Sequence, residues 1–416
     1  MANIDEISGL SKIIKDYSVQ ILPDTFDSYK LIDTIIEKNS PTTAFYIVDL
    51  GEVVRQCKLW RELFPTIQPL YAVKCNPNKV ICKVLSLLDV GFDVASKNEM
   101  SLVKDIIPDI TKVIYANPYK ENSSVQYART NNIDFSVFDS EHELHKLKLY
   151  HPTCKLLMRI KVNDAGSECR FSEKFGTEIT DAKRILQIAK ILELDIVGVS
   201  FHVGSSCKNG TQYFEALENT KKIFDIAKEI GYNMNVIDIG GGFPGTRDEK
   251  SMVLLQEITT NINTGIEKFF SDITELRLYA EPGRFFVQTS HTLLLNVIGK
   301  KSKIDETTGE KSFCYYMNDG IYGSFNCIIF DHQKPEMLPY NERDEKKYKT
   351  IVFGPTCDSV DKINQELYLP ELEVGEWCFV RNFGAYTVAS SSDFNGFTRI
   401  KCFYIFTDSE NKIHEL

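Results

Sequence analysis

Paired cysteine spacing of the C-x-x-C kind is missing from this 416-residue chain: its eleven cysteines are an odd number and stand singly. That pattern supplies neither a zinc-ribbon framework nor a disulfide scaffold, and no metal site is read from the sequence. Runs of Lys and Arg are also missing, and the formal net charge is −10, which excludes a basic face for nucleic acid and leaves a surface suited to cationic ligands. No uninterrupted apolar stretch reaches membrane-spanning length. Met1 to Lys15 mixes charge with Ile and Leu where a secretory leader would be apolar, so a reducing, cytoplasmic setting is expected. Internal repeats, low-complexity tracts and long flexible linkers do not occur. What is present is 43% hydrophobic and 25% charged residues, the composition of a globular protein long enough for two or three domains.

In chain order, residues 1–43 read as a short strand and a helix, with Phe26, Tyr29, Leu31, Ile32, Ile35 and Ile36 at helical spacing before Asn39 and Pro41. A strand, Phe45 to Val48, leads into a helix through Trp60 and Leu63. From Leu70, β-type runs alternate with amphipathic helices: Leu70 to Val73, Phe92 to Ala95, Lys112 to Tyr115, Phe135 to Phe138, Lys155 to Ile160, Ile196 to His202, Val236 to Ile239 and Leu276 to Ala280. Between the sixth and seventh, Phe214, Leu217, Ile223, Phe224, Ala227 and Ile230 mark one face of a helix. Eight such units fit a closed parallel (β/α)8 barrel. After Pro282 the runs 285–299, 312–318, 322–330, 349–353, 376–383 and 398–406 are β-type, separated by charged or Gly/Pro turns, with Asp305 to Lys311 and Asn341 to Lys349 as solvated loops. The expected fold class is α/β: a barrel over 44–283 and an all-β domain over 284–416, which the strand and helix of 1–43 join.

Barrel chemistry sits at the carboxyl ends of the strands. The residues expected there are Lys74, Asp93, Asn117, Arg159, His202, Gly240 to Gly242, and Glu281 with Arg284. Each has an ordinary alternative: a lysine after a strand is commonly solvated, a lone histidine commonly belongs to a core, and an arginine is commonly half of an ion pair. Their joint arrival at one rim favours function. Tyr71-Ala72-Val73-Lys74-Cys75-Asn76 delivers one amine to a strand end, where partial desolvation makes it a Schiff-base nucleophile. Val236 to Gly245 is a strand followed by a glycine-rich turn whose free amides can cradle a phosphate. Gly240, Gly242 and Gly245 also match the dinucleotide pattern, but Pro244 and Gly245 stand where a helix should begin and this is the seventh unit, not the first. Arg284 supplies a phosphate partner, and Glu281 a carboxylate able to keep a pyridine nitrogen protonated. Together these residues describe a pyridoxal 5′-phosphate site.

The chain resembles the eukaryotic ornithine decarboxylase family of alanine-racemase-like barrels. The likeness is carried by Tyr71 to Asn76, Phe201-His202-Val203-Gly204-Ser205, Asp238 to Gly242, Glu281 to Arg284, Asn318 to Phe325, Gly354-Pro355-Thr356-Cys357-Asp358 and Gly384-Ala385-Tyr386-Thr387, in order over nearly the whole chain. The resemblance implies that Lys74 holds the cofactor, His202 stacks on its ring and Glu281 meets the ring nitrogen. It implies a phosphate seat of Ser205, Gly240, Gly241, Gly242, Arg284 and Tyr386, with Asp93, Glu99 and Arg159 as supporting charges. It further implies a homodimer with shared active sites, in which Cys357 donates a proton to the substrate α-carbon and Asp331, Asp358 and Tyr322 hold the distal ammonium.

Two departures touch that substrate end. Asp331-His332 is followed by Gln333 alone before Lys334-Pro335, a shorter link than the family pattern, and Ser359 replaces a usual glycine, at a cost of roughly 1 kcal/mol if its φ is positive. Lysine differs from ornithine by one methylene, worth only about 1–3 kcal/mol of discrimination, so lysine and arginine decarboxylases remain as alternatives. A non-catalytic antizyme-inhibitor-like paralogue is a further alternative, against which Lys74, Cys357, Glu281 and Arg284 are all retained. Paired Asp331 and Asp358 fit the zwitterionic end of diaminopimelate poorly, and the order barrel, then β domain with Cys-Asp, disfavours a racemase. Asn122 to Lys148 is not especially basic, which argues against antizyme binding, and the sequence stops soon after its last β-type run, where animal members carry a degradation tail.

Overall fold

The computed structural model describes residues 9–23, 27–39, 43–341 and 343–407. It divides into two compact units: Val54–Phe286, and Met1–Val53 with Val287–Leu416.

In the first unit eight parallel strands close a barrel in chain order: Ile67–Ala72, Gly91–Val94, Val113–Tyr115, Phe135–Phe138, Lys155–Arg159, Asp195–Ser200, Val236–Asp238 and Arg277–Ala280. Closure is made by the last strand pairing with the first, Leu278 opposite Ile67 and Ala280 opposite Pro69. Leu70, Ile114, Ala116, Val137, Leu157 and Val236 fill the interior with Phe135, Val197 and Tyr279 against them, the packed layers of branched and aromatic side chains that make such a barrel a core and not a pore. The helices between strands start where the sequence offers a cap: Asn78 Oδ1 accepts from Val80 and Ile81 at the head of Lys79–Leu87, and Asp248 Oδ1 accepts from Ser251 at the head of Glu249–Phe270. Thr211–Ile230 buries Leu217, Ile223, Phe224 and Ala227 of the expected face, while Phe214 and Ile230 are half-buried.

The second unit is mostly sheet. Its strands lie in the order Gln20–Leu22, Lys401–Thr407, Phe45–Asp49, His291–Ile304, Lys311–Met317, Tyr348–Phe353 and Lys362–Leu369, and Trp377–Val380 pairs with both His291–Ile304 and Met337–Pro339. Phe45–Asp49 lies between its neighbours, parallel to Lys401–Thr407 and antiparallel to His291–Ile304. Helix Ser28–Asn39 covers one face with Leu31, Ile32 and Ile35, packed in one cluster with Phe45, Ile47, Leu294, Phe379 and Ile405. Phe26 and Pro41 lie outside the described residues.

Several expected runs end or fold differently. The sixth barrel strand stops at Ser200, so His202 lies in the loop beyond it; Phe201 and Val203 are buried there without being sheet. Residues 322–330 form no strand. Ser324–Asn326 is a 3-10 turn and Cys327–Phe330 a helical turn, because Asp319 Oδ1 accepts the Gly320 and Ser324 amides at 2.8 and 3.1 Å and curls the chain. The run 285–299 opens with helix Arg284–Val287 before its strand begins at His291. Lys362–Leu369, Met337–Pro339 and the two-stranded antiparallel ribbon of Ser167–Cys169 with Ser205–Cys207 were not expected as strands. Among the described residues no helix is long and apolar enough to cross a membrane, and no group of three or more His, Cys, Asp or Glu is placed to hold a metal ion.

Candidate active site

The carboxyl ends of the barrel strands bring the expected residues together. After Ala72 the chain enters a 3-10 turn, Val73–Cys75, which presents Lys74. The Ala72 amide donates to Pro282 O at 3.3 Å, so the turn carrying Lys74 is tied to the segment that follows the eighth strand. Lys74 Nζ lies 3.2 Å from Asp93 Oδ2, at the end of the second strand. The lysine side chain is 40% exposed and the carboxylate 1%, an amine reachable from outside and held from beneath. Ser96 Oγ caps the head of Lys97–Lys104 by accepting Glu99 N at 3.3 Å, and Glu99 Oε2 accepts the amide of Ala95, the residue before the cap, at 2.6 Å. Burial raises the Glu99 carboxyl, with the Asp93 charge adding to it. Asn117 is spent on local structure, donating to Ala95 O and accepting from Tyr119 N.

His202 is buried, and burial first, then the charges of Lys74 and Arg159, hold its imidazole well below the ordinary range. It is therefore neutral. Nδ1 accepts the Gly204 amide at 3.0 Å, which puts the ring proton on Nε2. Phe171 meets the ring edge-on at 4.8 Å between centroids, and Arg159 rests over the ring of Phe175 at 4.9 Å. The result is a flat, uncharged imidazole face in a fixed orientation.

The phosphate-type residues also converge. Arg284 Nη2 donates to Ser205 Oγ at 3.0 Å, and both residues are buried. Ser205 stands opposite Cys169 in a two-stranded antiparallel ribbon. The glycine run is shaped by close approach: Gly242 has φ 110°, and a Cβ on it would lie 2.8 Å from Gly204 O and 2.9 Å from Tyr213 Oη. A Cβ on Gly241 would lie 2.8 Å from Glu281 O and 2.9 Å from His202 Nε2. Gly241 therefore packs where any side chain would strike the Glu281 carbonyl and the His202 ring. Glu281 is buried, its amide donating to Gly240 O at 2.7 Å. An amine, a neutral ring face, a buried carboxyl and a serine–arginine pair beside bare backbone are the donor set that fits pyridoxal phosphate. When bound, that cofactor supplies an electron-accepting conjugated ring.

The remaining predicted residues belong to the sheet unit and form two clusters. Tyr322 Oη donates to Asp358 Oδ2 at 2.5 Å, and its ring stacks on Phe394 at 4.3 Å. This hydrogen bond, helped by the Val360 amide, lowers the Asp358 carboxyl. Cys357 is exposed, its amide bonded to Asn395 Oδ1 at 3.0 Å. Ser359 is absent from the positive-φ residues, so serine brings no left-handed strain there. Asp331 is 5% exposed and belongs to the second cluster: Gln333 Nε2 donates to its Oδ2 at 2.5 Å and to Ala385 O at 3.1 Å. The residue that marks the shortened link therefore grips the carboxylate beside it. Tyr386 sits in the same stretch as Ala385 with φ 56°.

Sequence reasoning assigned no role to Asp238, Asp361 or Tyr213. Asp361 Oδ1 accepts Ile321 N and Oδ2 accepts Thr356 N, at 2.8 and 3.0 Å, tying the two loops that carry Tyr322 and Asp358. A side chain on Gly320 or Gly354 would strike it. Tyr213 Oη donates to Gly241 O at 2.8 Å and braces the glycine turn. The only signal in the sequence was that Asp238 and Asp361 flank glycine-bearing motifs.

Comparison with known proteins agrees with this arrangement. Residues 50–288 match the family model "Pyridoxal-dependent decarboxylase, pyridoxal binding domain". The chain is 41% identical over 410 residues to ornithine decarboxylase of Mus musculus, covering 95% of this chain and 88% of that protein. It is 40% identical over 402 residues to antizyme inhibitor 2 of Xenopus laevis, covering 94% and 88%. The crystal structure of the Paramecium bursaria Chlorella virus arginine decarboxylase superposes with a TM-score of 0.85 at 33% identity, covering 91% of this chain and all of that one. With its closed barrel, its convergent rim and likeness along nearly its whole length, the chain belongs to the pyridoxal-dependent decarboxylases.

Proposed function

We propose that this protein removes carbon dioxide from L-ornithine to give putrescine, working as a homodimer. The observation that carries the reading is the intact rim: Lys74 held by Asp93, and Arg284 held by Ser205, with Gly241 packed bare against His202 and the Glu281 carbonyl. Lys74 is the amine that carries the cofactor, and Asp93 holds it in place. His202 offers a neutral face to the ring, and Arg284 and Ser205, with the glycine turn and Tyr386, bind the phosphate. Glu281 holds a proton at the ring nitrogen. Arg159 and Glu99 set the charge around these groups. Cys357, exposed on its own subunit, delivers a proton from Sγ to the substrate α-carbon in the partner's site. Asp358, aligned by Tyr322, and Asp331, gripped by Gln333, receive the distal ammonium.

The likeness to antizyme inhibitor 2 supports a second reading, in which the fold is kept for binding and not for catalysis. Release of carbon dioxide from ornithine, lysine and arginine by purified protein, with and without added pyridoxal phosphate, separates them. Cofactor-dependent release with ornithine preferred is the expected result. Preference for lysine or arginine overturns the substrate assignment, and cofactor binding without turnover of any of the three supports the non-catalytic reading.

A further inference from the structure

Beneath the rim three buried carboxyl groups crowd one side of the barrel: Asp93, Asp238 and Glu281. The charged groups facing Asp238 are Glu281, Asp93 and Arg159, and those facing Glu281 are Asp238, Asp93, Lys74 and Arg159. Asp238 Oδ1 accepts the Gly240 amide at 2.9 Å. Its other oxygen, Oδ2, is buried and takes no N–H or O–H hydrogen bond among the described residues. Glu281, itself a carboxyl, comes two residues after Tyr279, the register partner of Asp238 on the adjacent strand, and so shares its face. The two cannot drift apart, because they stand on adjacent strands: Asp238 is in register with Tyr279, Ile239 N donates to Tyr279 O at 2.9 Å and Glu281 N donates to Gly240 O at 2.7 Å. Asp238 is fully buried and Glu281 nearly so, and the void that Glu281 borders with Arg159, Ser200 and His202 measures about 10 Å³, the lower limit for a single water. Two ionised carboxylates in such a place repel strongly, and one proton between them turns the repulsion into a charge-assisted hydrogen bond. Burial pushes the Asp238 carboxyl up to about 7, and burial followed by the charges of Asp238 and Asp93 raises Glu281 well above the carboxylate range.

We propose that Asp238 is a positioning residue for Glu281: one proton held between Asp238 Oδ2 and the Glu281 carboxylate makes the pair a single negative charge at the barrel rim beside His202. This rests on the reading that Glu281 serves the cofactor's ring nitrogen. A seat with one negative charge matches one protonated nitrogen, whereas two would bind the same ring while straining the barrel around it.

The test uses Asp238→Asn, whose amide donates the same hydrogen bond without titrating, and Asp238→Ala, which removes the donor. Infrared spectra of the cofactor-free protein across pH report protonated buried carboxyls directly. The native protein should keep such a band at neutral pH, and in Asp238→Asn the band should move to lower pH. Pyridoxal phosphate affinity should stay within about threefold of native in Asp238→Asn and fall by about tenfold or more in Asp238→Ala. Absence of the band at neutral pH, a band indifferent to Asp238→Asn, or an asparagine variant as damaged as the alanine variant overturns the shared proton. Glu281→Gln tests the parent reading separately: an unchanged cofactor absorbance in that variant would remove Glu281 from the ring nitrogen, while the band in the cofactor-free protein still decides on the proton.

Discussion

Replacing Arg284 by alanine removes the guanidinium that donates to Ser205 Oγ at 3.0 Å from a position only 7% exposed. At that burial the hydrogen bond it would make to a phosphate oxygen in the proposed site is charge-assisted and poorly replaced by water, worth roughly 1.5–3 kcal/mol net. The cofactor should therefore bind about 10- to 150-fold more weakly. Ser205→Ala removes a neutral partner worth about 0.5–1.5 kcal/mol, or roughly 2- to 12-fold. Arg284→Lys keeps the charge but loses the planar fork and should fall between native and alanine. The assay is titration of cofactor-free protein with pyridoxal phosphate, followed by absorbance, and in parallel with pyridoxal, which has no phosphate. The loss should appear for the phosphorylated ligand and not for the other. Equal loss for both, or an Arg284→Ala affinity within twofold of native, would refute the placement of this arginine at the phosphate.

Mixing inactive Lys74→Ala and Cys357→Ala subunits should restore part of the decarboxylase activity if the two residues serve one site from different subunits; no recovery after demonstrated subunit exchange argues for self-contained sites. Burial pushes the Asp319 carboxyl up to about 6, above its unfolded value near 3.8, so the folded chain keeps a proton that the unfolded chain loses. Its contribution to stability is fully present below about pH 4 and is lost by about pH 6, a change on the order of 3 kcal/mol. Urea unfolding across this range should show Asp319→Asn with a flatter profile than native, and superimposable profiles sink the idea. Trp60, 1% exposed, packs on Phe64, Phe243 and Phe285 at 4.6, 5.0 and 5.2 Å and donates to Ile67 O at 3.0 Å. Trp60→Ala should cost about 3–5 kcal/mol in the same assay, and a loss under about 1 kcal/mol would show that the cluster collapses around the gap.

Much of the candidate site was legible because each cofactor-type residue follows a β-type run directly. Once eight runs were counted, the barrel put Lys74, Asp93, Arg159, His202, the glycine run and Glu281 on one rim, and the structure agrees. The sheet unit was harder to read. Residues 322–330 are apolar enough for a strand, and only the Asp319 carboxylate, accepting local amides, turns them into helical turns. Strand Lys362–Leu369 carries only a short alternation, with Ile363 and Leu369 buried and Tyr368 exposed, and it takes its place by pairing with Tyr348–Phe353. The penalty feared at Ser359 depended on a backbone angle that a sequence does not contain.

The sequence by itself determined the fold class and the kind of chemistry, since the 3.6 and 2.0 periodicities and the residue types at strand ends are local properties. Tertiary structure alone decided the interactions between residues distant in the chain: Gln333 gripping Asp331 with Ala385, Asp361 binding two loops, and Asp238 buried against Glu281. Whether a carboxyl is a solvated charge or a shared proton depends on what desolvates and faces it, and that is set by strands packed side by side.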